Sequence, residues 1–400
     1  MTYQNKALLV VALTIFVDSF IGGVIVPVLP LYAEVMGLSS FQTGIVFAVY
    51  SAAVLVLSIP LGVMSDRWGR KKVMVGGMVG LTLSTVAFIF AQSFWALTLI
   101  RLLQGTAAAA TWMVGPALLA DMFPPRERGG KMGLAMMGNS FGFLFGPVVG
   151  GFLYDWGGYA APFILSAAVT VLVLGLTIWV IREPQSRHTV AAPQPERGHL
   201  SLLLGNRVLT VGCGVMLLAS MGFGFIDPLL PAYFAERFGA TSTTIGWLFA
   251  AMSVTTLVAH PLFGRLSDLV GRVAPIGMGL MSTAAAFALF TRASSVAWCF
   301  LAMAVLGITY SLTTAPIAPL LADAINQKQG SAGYGTAIGF NNTAWSIGYT
   351  VGPLVGGAFV DLWGLPNLFV VYAVLLLGYL PVFFTGTKGF ALPPAVEKEG

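Results

Sequence analysis

Twelve long apolar runs separated by short polar gaps constrain this chain more than any other feature. They cover about residues 7–31, 43–64, 73–92, 95–119, 132–154, 160–181, 207–234, 244–265, 274–291, 295–321, 333–360 and 366–386. An α-helix needs roughly 20 apolar residues to cross hydrocarbon. The runs are continuous rather than alternating, which predicts spanning helices and not a β-barrel. Only 9% of the 400 residues are charged and 57% are hydrophobic. A soluble domain carries about 25% charged residues, so a soluble enzyme is excluded, and a disordered chain is too.

The polar gaps carry their own pattern. Of the 20 Lys and Arg residues, only Arg237 and Arg292 fall on the side opposite the termini, and Arg101 lies inside a span, which leaves 20 − 3 = 17 on the terminal side. By the positive-inside bias, both termini are expected in the cytoplasm. The net charge of +5 therefore reports topology, and no nucleic-acid partner is expected. The polar stretch from Arg182 to Leu200 contains Pro184, Pro193 and Pro195, and predicts a linker. The expected organisation is a bundle over 1–181, a cytoplasmic linker over 182–206, a second bundle over 207–386 and a tail over 387–400. Asp18 in the middle of the first run argues for a retained span instead of a cleaved leader. Cys213 and Cys299 sit alone in apolar runs and read as small buried hydrophobes.

Three motifs recur in order. Pro27-x-x-Pro30-x-Tyr32 returns as Pro228-x-x-Pro231-x-Tyr233, an offset of 228 − 27 = 201. Gly62-x-x-x-Asp66-x-x-Gly69-Arg70 returns as Gly264-x-x-x-Asp268-x-x-Gly271-Arg272, offset 202. Gly142-x-x-x-Gly146-Pro147-x-x-Gly150-Gly151 returns as Gly348-x-x-x-Gly352-Pro353-x-x-Gly356-Gly357, offset 206. Nearly constant offsets predict two homologous six-span halves, an arrangement suited to alternating access around a midplane site.

Of the 15 acidic residues, only Asp18 and Asp227 lie well inside predicted spans. A charge there costs at least ~2.5–3.5 kcal/mol on insertion scales, and intramembrane acids mark proton or ion pathways. Asp18 lies about 11 residues into its run, ~16 Å deep at 1.5 Å per residue. Asp227 aligns with Val26, eight positions and ~12 Å further along, which predicts a stepped pair. A carboxylate shielded from water favours its neutral form, and an arriving cation favours the ionised one. One carboxylate cannot hold a proton and an ammonium together, so competition couples the two.

These motifs resemble the major facilitator superfamily along the whole chain. Gly62-Val-Met-Ser-Asp66-Arg67-Trp-Gly69-Arg70-Lys71-Lys72 looks like its signature loop between spans 2 and 3. Arg101-Leu-Leu-Gln104-Gly105 looks like its basic span-4 motif, and the Gly-Pro motif at 142–151 like the antiporter motif of span 5. The resemblance implies the drug:proton antiporter branch. Within it, Val17-Asp18-Ser19, Val26-Pro27-x-x-Pro30 and Phe225-Ile226-Asp227-Pro228-Leu-Leu-Pro231 resemble the vesicular amine transporters, through a bacterial relative; tetracycline exporters have a similar first segment. Three ionisable positions of the amine transporters differ: a span-2 lysine becomes Tyr50, a span-10 aspartate Ser311 and a span-11 aspartate Asn342. That places a two-proton exchange in question.

Within this frame Asp227 is expected to take mainly the amine and Asp18 mainly the proton, with Arg101, which does not deprotonate, biasing Asp18. The expected wall comprises Tyr50, Trp112, Tyr233, Tyr310, Phe340, Asn341, Asn342, Trp345 and Tyr349, since aromatic faces attract organic cations. Gly62, Asp66, Arg67, Arg70, Asp268 and Arg272 resemble the family's charge-paired gate, and Gly146 and Pro147 are expected to allow close packing and bending. His260 reads as a packing residue. No phosphate loop, metal cluster or catalytic triad is present, so no enzyme activity, cofactor or metal is expected. The resemblance implies a monomeric, proton-driven exporter of small organic cations in the lipid bilayer of the plasma membrane. The alternatives are a tetracycline- or sugar-type exporter and, outside transport, a polytopic receptor or scaffold.

Overall fold

The computed structural model describes residues 2–183, 203, 205–329 and 334–390. Most of the expected linker, with His188 and His199, and the end of the tail lie outside the described residues. Those described form helices and no strand. In chain order they are α1 (Tyr3–Val35), α2 (Ser40–Trp68), α3 (Arg70–Phe88), α4 (Phe94–Met122), α5 (Pro125–Gly157), α6 (Ala160–Val180), α7 (Arg207–Phe238), α8 (Ser242–Val270), α9 (Val273–Thr291), α10 (Val296–Thr314), α11 (Ile317–Gln329), α12 (Tyr334–Trp363) and α13 (Leu365–Gly386). The ends of the bundle are called here the basic face, which holds the termini and most Lys and Arg, and the far face.

Serine or threonine side chains cap α2, α4, α8 and α10 on the far face, at Ser39, Ser93, Thr241 and Ser295. Each accepts from an otherwise unpaired N–H of the first turn. The span expected over 295–321 is two helices, α10 and α11. Pro316 stands between them and brings no N–H to the helical ladder. Prolines elsewhere, such as Pro27, Pro147 and Pro228, sit inside unbroken helices, so hydropathy alone does not reveal this break.

Each half packs around apolar clusters, with Ile21, Phe47, Phe88 and Phe163 in the first and Phe225, Phe287, Phe290 and Phe369 in the second. The outer surface is apolar as well: Trp95, Leu172 and Trp179 are exposed, as lipid-facing side chains must be. In each half the Gly-Pro helix lies against the helix that carries the buried acid. A methyl on Gly142 would sit 2.6 Å from Ser19 Cβ, and one on Gly150 2.8 Å from Val24 Cα. On α12, a methyl on Gly352 would sit 3.1 Å from Gly224 Cα. Small residues let the backbones touch, which fixes α1 and α7 around Asp18 and Asp227.

The halves meet at the far face through two related contacts. A methyl on Gly44 (α2) would lie 2.9 Å from the Pro353 carbonyl carbon on α12, and one on Gly246 (α8) 2.9 Å from that of Pro147 on α5. Two carboxylates reinforce these contacts. Asp361 of α12 accepts from the N–H groups of Ser40 (2.9 Å) and Phe41 (3.0 Å) at the start of α2. Asp155 of α5 accepts from Ser242 (3.2 Å) and Thr243 (2.8 Å) at the start of α8. Towards the basic face, Gly129, Gly130, Gly133, Gly264, Gly335 and Gly339 on α5, α8 and α12 meet nothing within 4 Å. These contacts join the two halves at the far face.

Candidate functional site

Asp18 is 3% exposed. Its Oδ2 accepts from Trp112 Nε1 of α4 at 2.7 Å and from the Tyr50 hydroxyl of α2 at 3.1 Å. Its Oδ1 is buried without a donor among the described residues. Next to it, Ser19 Oγ donates to Asn139 Oδ1 of α5 at 2.7 Å, tying the acid's helix to the Gly-Pro helix.

Asp227 is 6% exposed. The Tyr349 hydroxyl of α12 donates to its Oδ2. Tyr349 stacks on Trp345 at 4.9 Å and 13° between planes, and the Trp345 side chain stands beside the Tyr310 hydroxyl of α10. Tyr310 packs in turn on Phe223 at 4.0 Å. An aromatic wall from three helices thus backs this acid.

The acids are bridged across the halves. Ser51, next to Tyr50, donates to the Tyr349 carbonyl at 3.3 Å, and Thr350 donates to Ser51 Oγ at 3.0 Å. Arg101, 4% exposed, lies with its guanidinium 4.4 Å over the Tyr50 ring and 5.3 Å from that of Phe47. It donates to the Val46 carbonyl (3.2 Å) and to Gln104 Oε1 (2.8 Å). Among the described residues it forms no direct ion pair with either acid, yet its charge acts on both. Tyr50 lies between the cation and Asp18, a placement that residue type alone did not suggest.

Other expected wall residues fall in different places. Asn341 shares a face of α12 with Trp345 and Tyr349 by four-residue spacing, and its buried Oδ1 has no hydrogen bond among the described residues. Asn342 is exposed and shares the strip of Ser346 and Thr350, on the side of α2. Phe340 is half-buried against the second-half core. Tyr233 does not join the site: it packs edge-on against Phe238 and Phe369, with Arg237 5.8 Å from its ring. Six residues beyond Asp227, it is turned about 240° and raised ~9 Å along α7.

At the basic face, Arg70 bonds Asp66 (2.6 Å), Ser65 (2.6 Å) and Asp121 (3.0 Å), and Arg272 bonds Asp268, Ser267 (2.8 Å) and Asp323 (3.4 Å). Each of these bonds lies within one half. Gly62 leaves room beside Met113 of α4, and Arg67 is exposed. Glu183 caps the start of α3, accepting from the N–H groups of Arg70 (2.8 Å) and Lys71 (3.2 Å). Asp121, Asp323, Asp155 and Asp361 were not singled out from the sequence. The repeat contains them all: 323 − 121 = 202 and 361 − 155 = 206, the offsets of the neighbouring motifs. Among the described residues no group of three His, Cys, Asp or Glu converges as a metal would require.

A sequence model of the Major Facilitator Superfamily matches residues 11–226 and again 212–399. The synaptic vesicular amine transporter of Rattus norvegicus is 26% identical over 360 residues, covering 90% of this chain and 68% of that one. Multidrug resistance protein 2 of Bacillus subtilis (strain 168) is 25% identical over 366 residues, 90% of each. Among solved structures, a bacterial homolog of the human lysosomal transporter Spinster, in an inward-facing and occupied conformation, superimposes with a TM-score of 0.82. It is 18% identical and the match covers 99% of this chain and 100% of that one.

Proposed function

This chain belongs to the Major Facilitator Superfamily, and from that premise we propose that it is a proton-coupled antiporter exporting cationic or amphipathic amines. The family is one of transporters and not an enzyme class. The observation that carries the reading is the pair of buried acids, Asp18 and Asp227, on the related helices α1 and α7, each held by hydroxyl or indole donors beside aromatic rings. Their placement between the halves suits a carrier that exposes one site to each side in turn. An ammonium at either carboxylate replaces a proton there, and the Trp345, Tyr349 and Tyr310 rings offer faces to an organic cation. The relatives among amine and multidrug transporters support this substrate class.

In the same proposal the protein works as a monomer in the plasma membrane, with both termini and the 182–206 linker in the cytoplasm and no cofactor beyond the proton gradient. The bundles 1–181 and 207–386 are the moving bodies, and the tail 387–400 takes no part. The test is uptake of serotonin into proteoliposomes with an acidic interior. The wild type accumulates it, whereas Asp18→Asn and Asp227→Asn, folded and inserted, lose at least tenfold. Wild-type accumulation by both variants would contradict the proposal.

A further inference from the structure

Asp18, Arg101 and Asp227 are, among the described residues, the charged residues buried as whole residues, at 3%, 4% and 6% exposed, while the buried Asp121 side chain is paired with Arg70 at the basic face. Their formal charges are −1, +1 and −1. The titratable groups around them add nothing near neutral pH. Tyr50 faces Asp18, Tyr349 faces Asp227 and Tyr310 stands behind Trp345, and phenols keep their protons there. Tyr372 and Tyr379 of α13 give their hydroxyls to backbone carbonyls of α7. His260 of α8 is exposed and is not among the groups that act on either acid.

Arg101 stays charged at any working pH and reaches both carboxylates electrostatically while pairing directly with neither. It compensates one negative charge and leaves one. A net charge sealed in a low-dielectric interior is costly, so the cluster closes off from water readily only when a single positive charge fills the deficit. Asp18 Oδ1, buried and without a donor among the described residues, shows that the carboxylates are not saturated.

Resting on the antiport reading above, we infer that the cluster is a slot for one positive charge and that the protein exchanges one proton for one singly charged organic cation, electroneutrally. The proton-loaded and cation-loaded forms are both neutral at the cluster and both reorient. The empty form carries −1 and does not, so exchange is obligatory and protons do not leak. One positive charge leaves with the cation and one enters with the proton, so no net charge crosses. A dication would leave the cluster at +1 and is a poor substrate.

The test uses wild-type protein in liposomes and N-methyl-4-phenylpyridinium, whose fixed single charge makes the count unambiguous, beside the dication methyl viologen. A pH gradient, acid inside, drives accumulation of the monocation with one proton released per cation. A potassium–valinomycin potential of either sign, without a pH gradient, leaves the rate unchanged, and methyl viologen enters at least tenfold more slowly. If the pH gradient drives uptake but the ratio is two, or the potential alone drives it, or methyl viologen keeps pace, the one-charge slot is overturned while proton coupling stands. If the pH gradient drives no uptake, the antiport reading fails and takes this inference with it.

Discussion

Replacing Asp155 and Asp361 with alanine removes the carboxylates that join the halves at the far face. Each accepts two backbone N–H groups from the first turn of a helix in the other half, at 2.8–3.2 Å. Losing an N-terminal cap costs about 0.5–2 kcal/mol. The two sites lie on different helix pairs, so their effects are expected to add. A combined loss of about 2 kcal/mol moves the ratio of far-closed to far-open molecules about 30-fold towards open. Spin labels at Val35 (α1) and Leu362 (α12), both exposed at the far face, read this as growth of a long-distance population, in a background with Cys213 and Cys299 replaced by alanine. Asparagine keeps one acceptor oxygen and should restore part of the closure. Burial alone would push the Asp361 carboxyl up, but the N–H groups of Phe41 and Ser40 hold it below the ordinary carboxylate value. A depressed value means that its contribution to closure is complete above about pH 4 and fades only as the pH falls below that. The closed population should therefore not respond to pH between 5 and 8 through this group. A double alanine variant with the wild-type distance distribution would refute the latch.

Leucine at Gly44 or Gly246 would drive a side chain into the Pro353 or Pro147 carbonyl of the other half. Transport should fall at least tenfold while the melting temperature changes by a few degrees at most, because the clash lies between the halves and not within one. Asp121, with its side chain 3% exposed and 3.0 Å from Arg70, is more tightly held than Asp323, at 21% and 3.4 Å from Arg272. Alanine at Asp121 should lower stability by about 1–3 kcal/mol in a thermal melt, and alanine at Asp323 by less; the reverse order would contradict the role assigned to burial.

Much of this architecture is legible in the chain because lipid leaves few choices. An apolar run of about 20 residues must become a helix, and each run predicted from hydropathy falls on one helix, apart from the one that Pro316 divides; the largest overrun is at 73–92, since α3 ends at Phe88. The acids were legible for the same reason, since Asp18 and Asp227 interrupt runs that tolerate almost no charge. What escaped notice depends on geometry around the helix. Tyr233 has the right residue type but the wrong angle, which the 100° step per residue would have shown. Tyr50 fits a wall by residue type, and only packing places it between Arg101 and Asp18. Gly44 and Gly246 look like any other glycines until the halves are brought together. The far-face carboxylates sit just beyond the spans, where charge is ordinary, and only their shared offset marks them.

The account stands on proton and cation competing for the same buried carboxylates, and equilibrium binding of N-methyl-4-phenylpyridinium to the purified protein across pH 5 to 9 tests that most directly. Affinity should fall tenfold per pH unit below the midpoint of the competing carboxylate, with proton release on binding, and Asp227→Asn should abolish that dependence. An affinity that stays constant across the range, with no proton released, would contradict it.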